Sequence, residues 1–257
     1  MKNKVYDIAM EAGHILLQNG AEISRVEETM GRICRYYGED SADFFVLSNG
    51  IFTTGGYGTK ESYAKVKHIP VNGARLDKVV AVNQLSREIE EGKYPSLDGV
   101  KEKLEMIANM PSSRNWQKIV ASGIGSGFFC VLTGGSIPDC IAAFIVGIVL
   151  YTYIVFVSEK YLSKIVGNIS GGALIVLVCI LCLKLNIGNQ LENIMSGAIM
   201  PMVPGVAFAN GIRDIADGDY ISGAVRLLDA ILRFLCIAIG VGVAFSIYHR
   251  LNGGVVL

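Results

Sequence analysis

The chain has 257 residues, 23 Lys+Arg balanced by 23 Asp+Glu, and 51% apolar side chains, with a mean hydropathy of +0.44 that exceeds that of an ordinary soluble chain. The charge is unevenly placed: residues 1–115 hold 15 of the basic and 16 of the acidic side chains, leaving 8 and 7 for the rest. That division predicts a soluble domain followed by a membrane domain, and the absence of a basic tail or a basic patch with interleaved aromatics excludes nucleic acid as a partner.

The opening MKNKVYDIAMEAGHILL meets Asp7 and Glu11 before any long apolar run develops. It is therefore not read as a secretory signal, and the first domain is expected in the cytoplasm. Val5, Ile8, Ala9, Ala12, Ile15 and Leu16 recur at helical spacing and stop at Asn19-Gly20. Ser24 and Glu27 have capping-box spacing for a second helix, unless Glu22 is already helical, and its buried face runs through Val26, Met30, Ile33, Cys34 and Tyr37 to Gly38. DFFVLS and IFTT flank Asn49-Gly50, a strong hairpin signal, and Ser62 to Ile69 alternates as a third strand before Pro70. Leu76, Val79, Val80, Asn83 and Ile89 mark a third helix, and Leu97, Val100, Leu104 and Ile107 a fourth with Ser96 as its cap. A small α+β domain with a short antiparallel sheet over residues 1–114 is the expectation.

No catalytic constellation emerges from it. His14 lies among apolar neighbours on a helix, and His68 sits in a strand between lysines. Gly55-Gly56-Tyr57-Gly58 is followed by a strand pattern rather than a helix, so a hairpin or loop fits better than a phosphate cradle. Ser48, Ser112 and Ser113 lack a nucleophile-elbow setting. Of six cysteines, Cys179 and Cys182 form a C-x-x-C inside an apolar run without a second pair or a histidine, which reads as packing rather than metal or redox work. No enzyme activity, cofactor or metal is expected.

From Trp116 the character changes, with Arg114, Trp116 and Lys118 placed as interfacial anchors. Five transmembrane helices are expected in a domain covering 115–257, at about 117–134, 137–157, 165–185, 189–210 and 221–248. The fourth is interrupted by Pro201 and Pro204. With the first domain inside, the cytoplasmic connections hold Lys160, Lys164 and Arg213, whereas the opposite side holds Lys184 and Arg250. This bias agrees with a cytoplasmic N-terminus. Recurring glycines, among them Gly123, Gly125, Gly127, Gly171, Gly172, Gly197, Gly223, Gly240 and Gly242, suit close helix packing in lipid.

The chemistry concentrates between Met200 and Val243. Arg226, Asp229 and Arg233 share a face of the fifth span at i, i+3 and i+7, where Asp229 can pair with either arginine. They either start the helix at the interface, with the arginines snorkelling, or line a substrate path, because unpaired charge in hydrocarbon costs several kcal/mol. Pro201, Pro204 and Gly205 either kink the fourth helix or break it so that freed carbonyls and half-helix ends hold small polar solutes. Asp214, Asp217 and Asp219 could equally form a solvated turn.

The run MVPGVAFANGIRDIADGDYISGAVRLLDAILRFLCIAIGVG resembles the signature of the bacterial threonine/serine exporter family, and AGHILLQNGAEISRVEETMGRICRYYG resembles its N-terminal motif. The resemblance covers essentially the whole chain. It implies a cytoplasmic N-terminal domain ahead of membrane helices in a bacterial inner membrane, and export of small amino or organic acids driven by an ion gradient. The motif positions are Pro204, Gly205, Asn210, Gly211, Arg213, Asp214, Gly218, Asp219, Ser222, Gly223 and Arg226. Full-length members resemble a fusion of this half with a second membrane half, so this chain looks like the larger part of a split exporter, similar to the two-component transporters associated with succinate. A second small membrane subunit, a homo-oligomer, or both are the implied partners.

The resulting expectation is a secondary transporter subunit working by alternating access. Arg213, Arg226 and Arg233 are candidates for a substrate carboxylate. Asp214, Asp219 and Asp229 are candidates for a substrate ammonium or a coupling proton, with Pro204, Gly205 and Asn210 along the same path. Threonine or serine is the first substrate choice and succinate the alternative. A membrane-anchored protein acting through its N-terminal domain is the competing class.

Overall fold

The computed structural model describes residues 2–56, 62–70 and 73–251. The chain divides into two compact units, Met1–Pro111 with Gly205–Asp229, and Ser112–Pro204 with Ala230–Leu257. Both units are thus assembled from two separate stretches of chain. The stretch 205–229, expected in the membrane domain, is grouped with the N-terminal residues.

In the first unit, α1 (Lys2–Gln18) and α2 (Ile23–Tyr36) lead into a three-stranded antiparallel sheet, β1 (Asp43–Leu47), β2 (Gly50–Gly55) and β3 (Tyr63–His68) in the order β1-β2-β3. Helices α3 (Leu76–Glu90) and α4 (Leu97–Ala108) follow. Tyr6, Met10, Leu16, Ile23, Met30 and Leu85 are fully buried at its centre, and each such side chain contributes about 1.5–3 kcal/mol over leaving it in water. Gly20 ends α1 at φ 83°, a backbone region that a side chain disfavours, and the Ala21 N–H then donates back to the Leu16 carbonyl.

Because that turn is short, α2 starts at Ile23 with Glu22 as its N-cap residue, and the Ser24/Glu27 capping box does not form. Glu27 instead accepts from the Val46 N–H of β1 at 3.1 Å. Ser96 caps α4 as expected, accepting from the Gly99 N–H at 3.4 Å. In the hairpin, Leu47 pairs with Gly50, so Ser48 and Asn49 form the turn and Gly50 opens β2. Gly55 must be glycine because a Cβ would lie 2.6 Å from the Tyr6 ring. Tyr57 and Gly58 of the glycine-rich run lie outside the described residues.

The second unit contains α5 (Asn115–Leu132) and α6 (Ile137–Tyr153), the latter continuing through a π-helical turn (Ile154–Ser158) into the short α7 (Glu159–Tyr161). Next come α8 (Lys164–Lys184), α9 (Leu191–Ile199) and a 3₁₀ turn (Met200–Met202). Beyond the break lie α10 (Gly205–Ala216) and α11 (Tyr220–Leu251), the latter shared between the units. Cys130, Val146, Leu150, Ile175, Cys179 and Ile194 form the second core; Cys179 and Cys182 are buried free thiols, which agrees with a packing role.

Glycines set the helix spacing here. A Cβ on Gly197 would approach the Ser126 carbonyl of α5 at 2.5 Å, and one on Gly172 the Ile237 carbonyl of α11 at 2.5 Å. Gly125 and Gly242 have open space instead and are not contact glycines. The buried Asp139 carboxylate caps α6, accepting from Ser136, and takes the Asn189 and Gln190 N–H groups at 2.6 and 2.9 Å.

Among the described residues, three helices are long and apolar enough to cross a membrane: Ile137–Tyr161, Lys164–Lys184 and Tyr220–Leu251. A bent pair, Leu191–Met202 with Gly205–Ala216, makes a fourth if counted as one broken span. The five spans expected from sequence require α5 as well, and its polar first turn of Asn115, Gln117 and Lys118 lowers its apolar character below that of the others.

Candidate functional site

Pro201 and Pro204 interrupt the chain where the sequence placed the break. Helix α9 tightens into the 3₁₀ turn, Val203 is extended at φ −65° and ψ 123°, and α10 starts afresh at Gly205. Proline has no N–H to continue the ladder and disfavours helical backbone in the residue before it. Helix α10 then turns at Asp217–Asp219, with Gly218 at φ 98°, into α11. The two helices pack almost backbone to backbone, since a Cβ on Gly223 would meet the Gly211 carbonyl at 2.7 Å and the Ile215 N at 2.9 Å.

This close contact places Asp214 against Arg226, with Oδ2 and Nη1 3.0 Å apart and only 1% and 9% of their side chains exposed. Sequence spacing offered Asp229 as a partner for either Arg226 or Arg233; for Arg226 the structure also brings up Asp214 from the preceding helix. Both members of the pair also reach the α1–α2 turn. The Ile23 N–H donates to Asp214 Oδ1 at 3.2 Å, so α10 supplies the carboxylate that the N-terminus of α2, whose own cap side chain makes no such bond, requires. Arg226 Nη2 donates to the Ala21 carbonyl at 2.8 Å, and Asn210 Nδ2 to the Gly20 carbonyl at 2.7 Å.

Outside the buried pair the same turn is held by exposed charge. Arg213 pairs with Glu22 at 2.6 Å, and the Ser24 hydroxyl donates to Asp217 Oδ2 at 3.2 Å. The stretches that resembled two separate motifs therefore meet: NGAEIS wraps the α1–α2 turn, and NGIRDIAD grips it. Of the sequence-selected residues, Asn210, Arg213, Asp214 and Arg226 are brought together here. Pro204 and Gly205 mark the break, with open space around Gly205. Asp219 is half-buried at the start of α11, Asp229 is exposed and Arg233 is half-buried further along it. The solvated-turn reading thus holds for Asp217, which is exposed, and fails for Asp214.

Half-buried Glu27 lies close enough to Asp219 to feel its charge. Burial pushes its carboxyl above the usual range, the Val46 N–H opposes that, and Asp219 and Asp43 add to it. Burial likewise lowers the His14 imidazole and raises the Cys34 thiol to about 12, which makes Cys34 an inert core group. No group of three or more metal-ligating side chains occurs among the described residues.

Sequence reasoning missed Glu22, Ser24 and the carbonyls of Gly20 and Ala21. The signal available was the run of polar residues directly after a glycine-ended helix, in a segment already singled out as a motif. Also missed was a pocket of about 320 Å³ bounded by α2, α3 and the end of α10, with Arg32, Arg87 and Asp217 in its wall. In the second unit a pocket of about 460 Å³ between α9 and the end of α11 is lined by Met195, Phe245 and Tyr248 together with Glu192 and His249. It contains none of the sequence-selected residues.

Several apolar helices, a proline break and, on the two helices that follow it in sequence, a buried ion pair point to a multi-span membrane protein with polar machinery at one helix junction. Residues 7–248 match the family described as "Putative threonine/serine exporter" (ThrE), and the chain belongs to that family. It is accordingly a membrane transport protein. Among curated proteins it is similar to the "Probable succinate transporter subunit YjjP" of Escherichia coli (strain K12), 23% identical over 94% of this chain and 93% of that one. The protein of the same name from Klebsiella aerogenes matches with the same identity and coverage. An "Uncharacterized protein C16A10.01" of Schizosaccharomyces pombe is 20% identical over 67% of this chain and 22% of its own length. No solved structure matches.

Proposed function

We propose that this chain is one subunit of a proton-coupled secondary exporter of small carboxylate solutes, acting by alternating access at the break before α10 and the start of α11. The observation that carries the reading is the buried Asp214–Arg226 pair, which joins the two helices that follow the proline break in sequence and is bonded to the α1–α2 turn. In this arrangement the two charges satisfy each other. When the grip opens, it releases a guanidinium that fits a carboxylate bidentately and a carboxylate that can take a proton or a substrate ammonium. Arg213, paired with Glu22 at 2.6 Å, adds charge on the exposed side of the turn, and Asp219, Asp229 and Arg233 follow in the chain.

About 22 residues of α11 from Ala230 onward give ~33 Å at 1.5 Å per residue, enough for a hydrocarbon core of ~30 Å. That length favours Arg226 at the membrane edge, where water and substrate reach it. The basic residues of the connections support a cytoplasmic N-terminus in a bacterial inner membrane, with α5 as a fifth span. Threonine or serine is the first substrate choice, from the family description. Succinate is the second, favoured by relatives of matching length whose name gives that solute and the word subunit. A small second membrane subunit is the expected partner, with self-association as the alternative.

The test is efflux from cells loaded with a threonine-containing dipeptide or with succinate, with the chain alone and then with a small membrane subunit. Export of one solute only with both chains, abolished by collapsing the proton gradient and by Asp214→Asn or Arg226→Ala, is the expected result. Variants Arg226→Ala, Asp214→Asn and Asp229→Asn that insert normally and export at full rate would overturn the assignment. Flux indifferent to the gradient would identify a passive channel.

A further inference from the structure

The pocket of about 320 Å³ in the first unit is built from three helices. On α2, Arg25, Glu28, Thr29 and Arg32 recur at helical spacing on one face; α3 contributes Asn83 and Arg87, α10 contributes Arg213, and the turn after it contributes Asp217. The Thr29 hydroxyl donates to Asn83 Oδ1 at 3.4 Å and joins α2 to α3. Most of the charge is already neutralised within the wall: Arg25 and Arg213 share Glu22 at 3.3 and 2.6 Å, and Arg32 pairs with Glu28 at 2.6 Å.

Two groups are left over. Arg87 makes no ion pair among the described residues, and Asp217 accepts the Ser24 hydroxyl but likewise makes no ion pair there. An exposed guanidinium on α3 and an exposed carboxylate in the α10–α11 turn, neither in an ion pair among the described residues, complement a molecule that carries both an anionic and a cationic group. The volume falls at the small end of the range for small-molecule sites. Three carboxylates in the wall oppose a multiply charged phosphate, and the surplus of arginine favours a ligand that brings a carboxylate.

We propose that the first unit carries a regulatory binding site for a small carboxylate solute, adjoining the transport residues through Arg213, in the cleft where Arg87 of α3 and Asp217 of the α10–α11 turn are left without ion partners. The α-amino acid zwitterion is the best complement, its carboxylate on Arg87 and its ammonium toward Asp217. Because α10 forms one wall, occupancy ties α2 and α3 to the helix that grips the α1–α2 turn, and so links solute concentration to the state of that helix. The chemical class of the ligand rests on the exporter reading; the site itself does not.

The experiment is calorimetric titration of the purified full chain in detergent with L-threonine, succinate and orthophosphate in turn. Saturable binding of threonine or succinate is expected, weakened about tenfold or more by Arg87→Gln, the scale of one charged hydrogen bond, and further by Arg87→Glu. Threonine binding alone identifies an amino acid site, and succinate binding alone a dicarboxylate site. Binding that is unchanged in both variants, absent for both carboxylates, or as tight for orthophosphate overturns the proposal. Should either variant melt early, hydrogen exchange of the unaltered chain decides: added solute must protect α2, α3 and α10, and no protection there overturns the proposal. Failed export with Arg87-dependent binding intact would remove the exporter reading and leave this site; the reverse pattern would remove this site alone.

Discussion

Asp214 and Arg226 lie 3.0 Å apart with almost no exposed surface, and each also bonds the turn between α1 and α2, through the Ile23 N–H and the Ala21 carbonyl. Removing one member of a buried pair leaves the other charge unpaired in a poor solvent, which costs about 3–5 kcal/mol. Asp214→Asn and Arg226→Ala should each lower the melting temperature of the chain in detergent substantially. The double variant Asp214→Leu/Arg226→Met should recover much of the loss, since packed apolar groups can replace a buried pair. Denaturant unfolding of all three variants measures the coupling, and costs that simply add would show that the two residues act independently.

The Asn210 amide that holds the Gly20 carbonyl at 2.7 Å predicts a smaller effect of its own. Asn210→Ala should cost about 1–2 kcal/mol and raise the hydrogen-exchange rates of the residues just after α1, while leaving α4 unchanged. Equal exchange in both segments would mean that the bond contributes nothing to holding the turn.

Glycine contacts separate tolerated from forbidden positions on a single helix. A Cβ on Gly223 would sit 2.6 Å from Ile215 Cγ1 and 2.7 Å from the Gly211 carbonyl, whereas Gly242 has nothing within 4 Å. Gly223→Ala should therefore destabilise by about 1–3 kcal/mol through overpacking, and Gly242→Ala should be neutral or slightly stabilising, because alanine is the better helix former. Melting of the two variants side by side checks the contrast.

Glu27 gives a pH dependence. Its folded carboxyl is raised above the ordinary value of 4.5 by burial first, with Asp219 and Asp43 adding to it. The folded state thus holds that proton more tightly than the unfolded state, so its ionisation destabilises the fold above the folded value. The cost disappears as pH falls toward the unfolded value. Glu27→Gln, which can still accept from the Val46 N–H, should raise the melting temperature at pH 7, with the gain shrinking as the buffer approaches pH 4.5. A gain that is constant with pH would assign the effect to packing instead of charge.

Much of the architecture was legible because local rules decide it. The stop at Asn19-Gly20, the Ser96 cap, the alternating strand after the hairpin and the break at Pro201 and Pro204 all follow from backbone preferences of a few adjacent residues. The capping box at Ser24 and Glu27 misled because both side chains were taken by partners far along the chain, Asp217 and the Val46 N–H. Periodicity offered Asp229 to Arg226 or Arg233, since spacing sees only neighbours on one helix. It has no means of registering an aspartate that a glycine-to-glycine helix contact presses against the arginine from the helix before. The grip on the α1–α2 turn combines residues nearly two hundred positions apart, a relation that only tertiary structure can display.

The first unit is closed by a second strip of chain, Gly205–Asp229, and this has a practical consequence for dissecting the protein. A fragment cut at residue 111 would strip the partners from the Gly20 and Ala21 carbonyls and the Ile23 N–H at one stroke. An inactive or aggregating fragment of that kind would therefore say nothing about what the N-terminal residues do. An informative minimal piece has to stitch residues 1–111 directly to 205–229 through a designed linker, treating the unit as the discontinuous object it is.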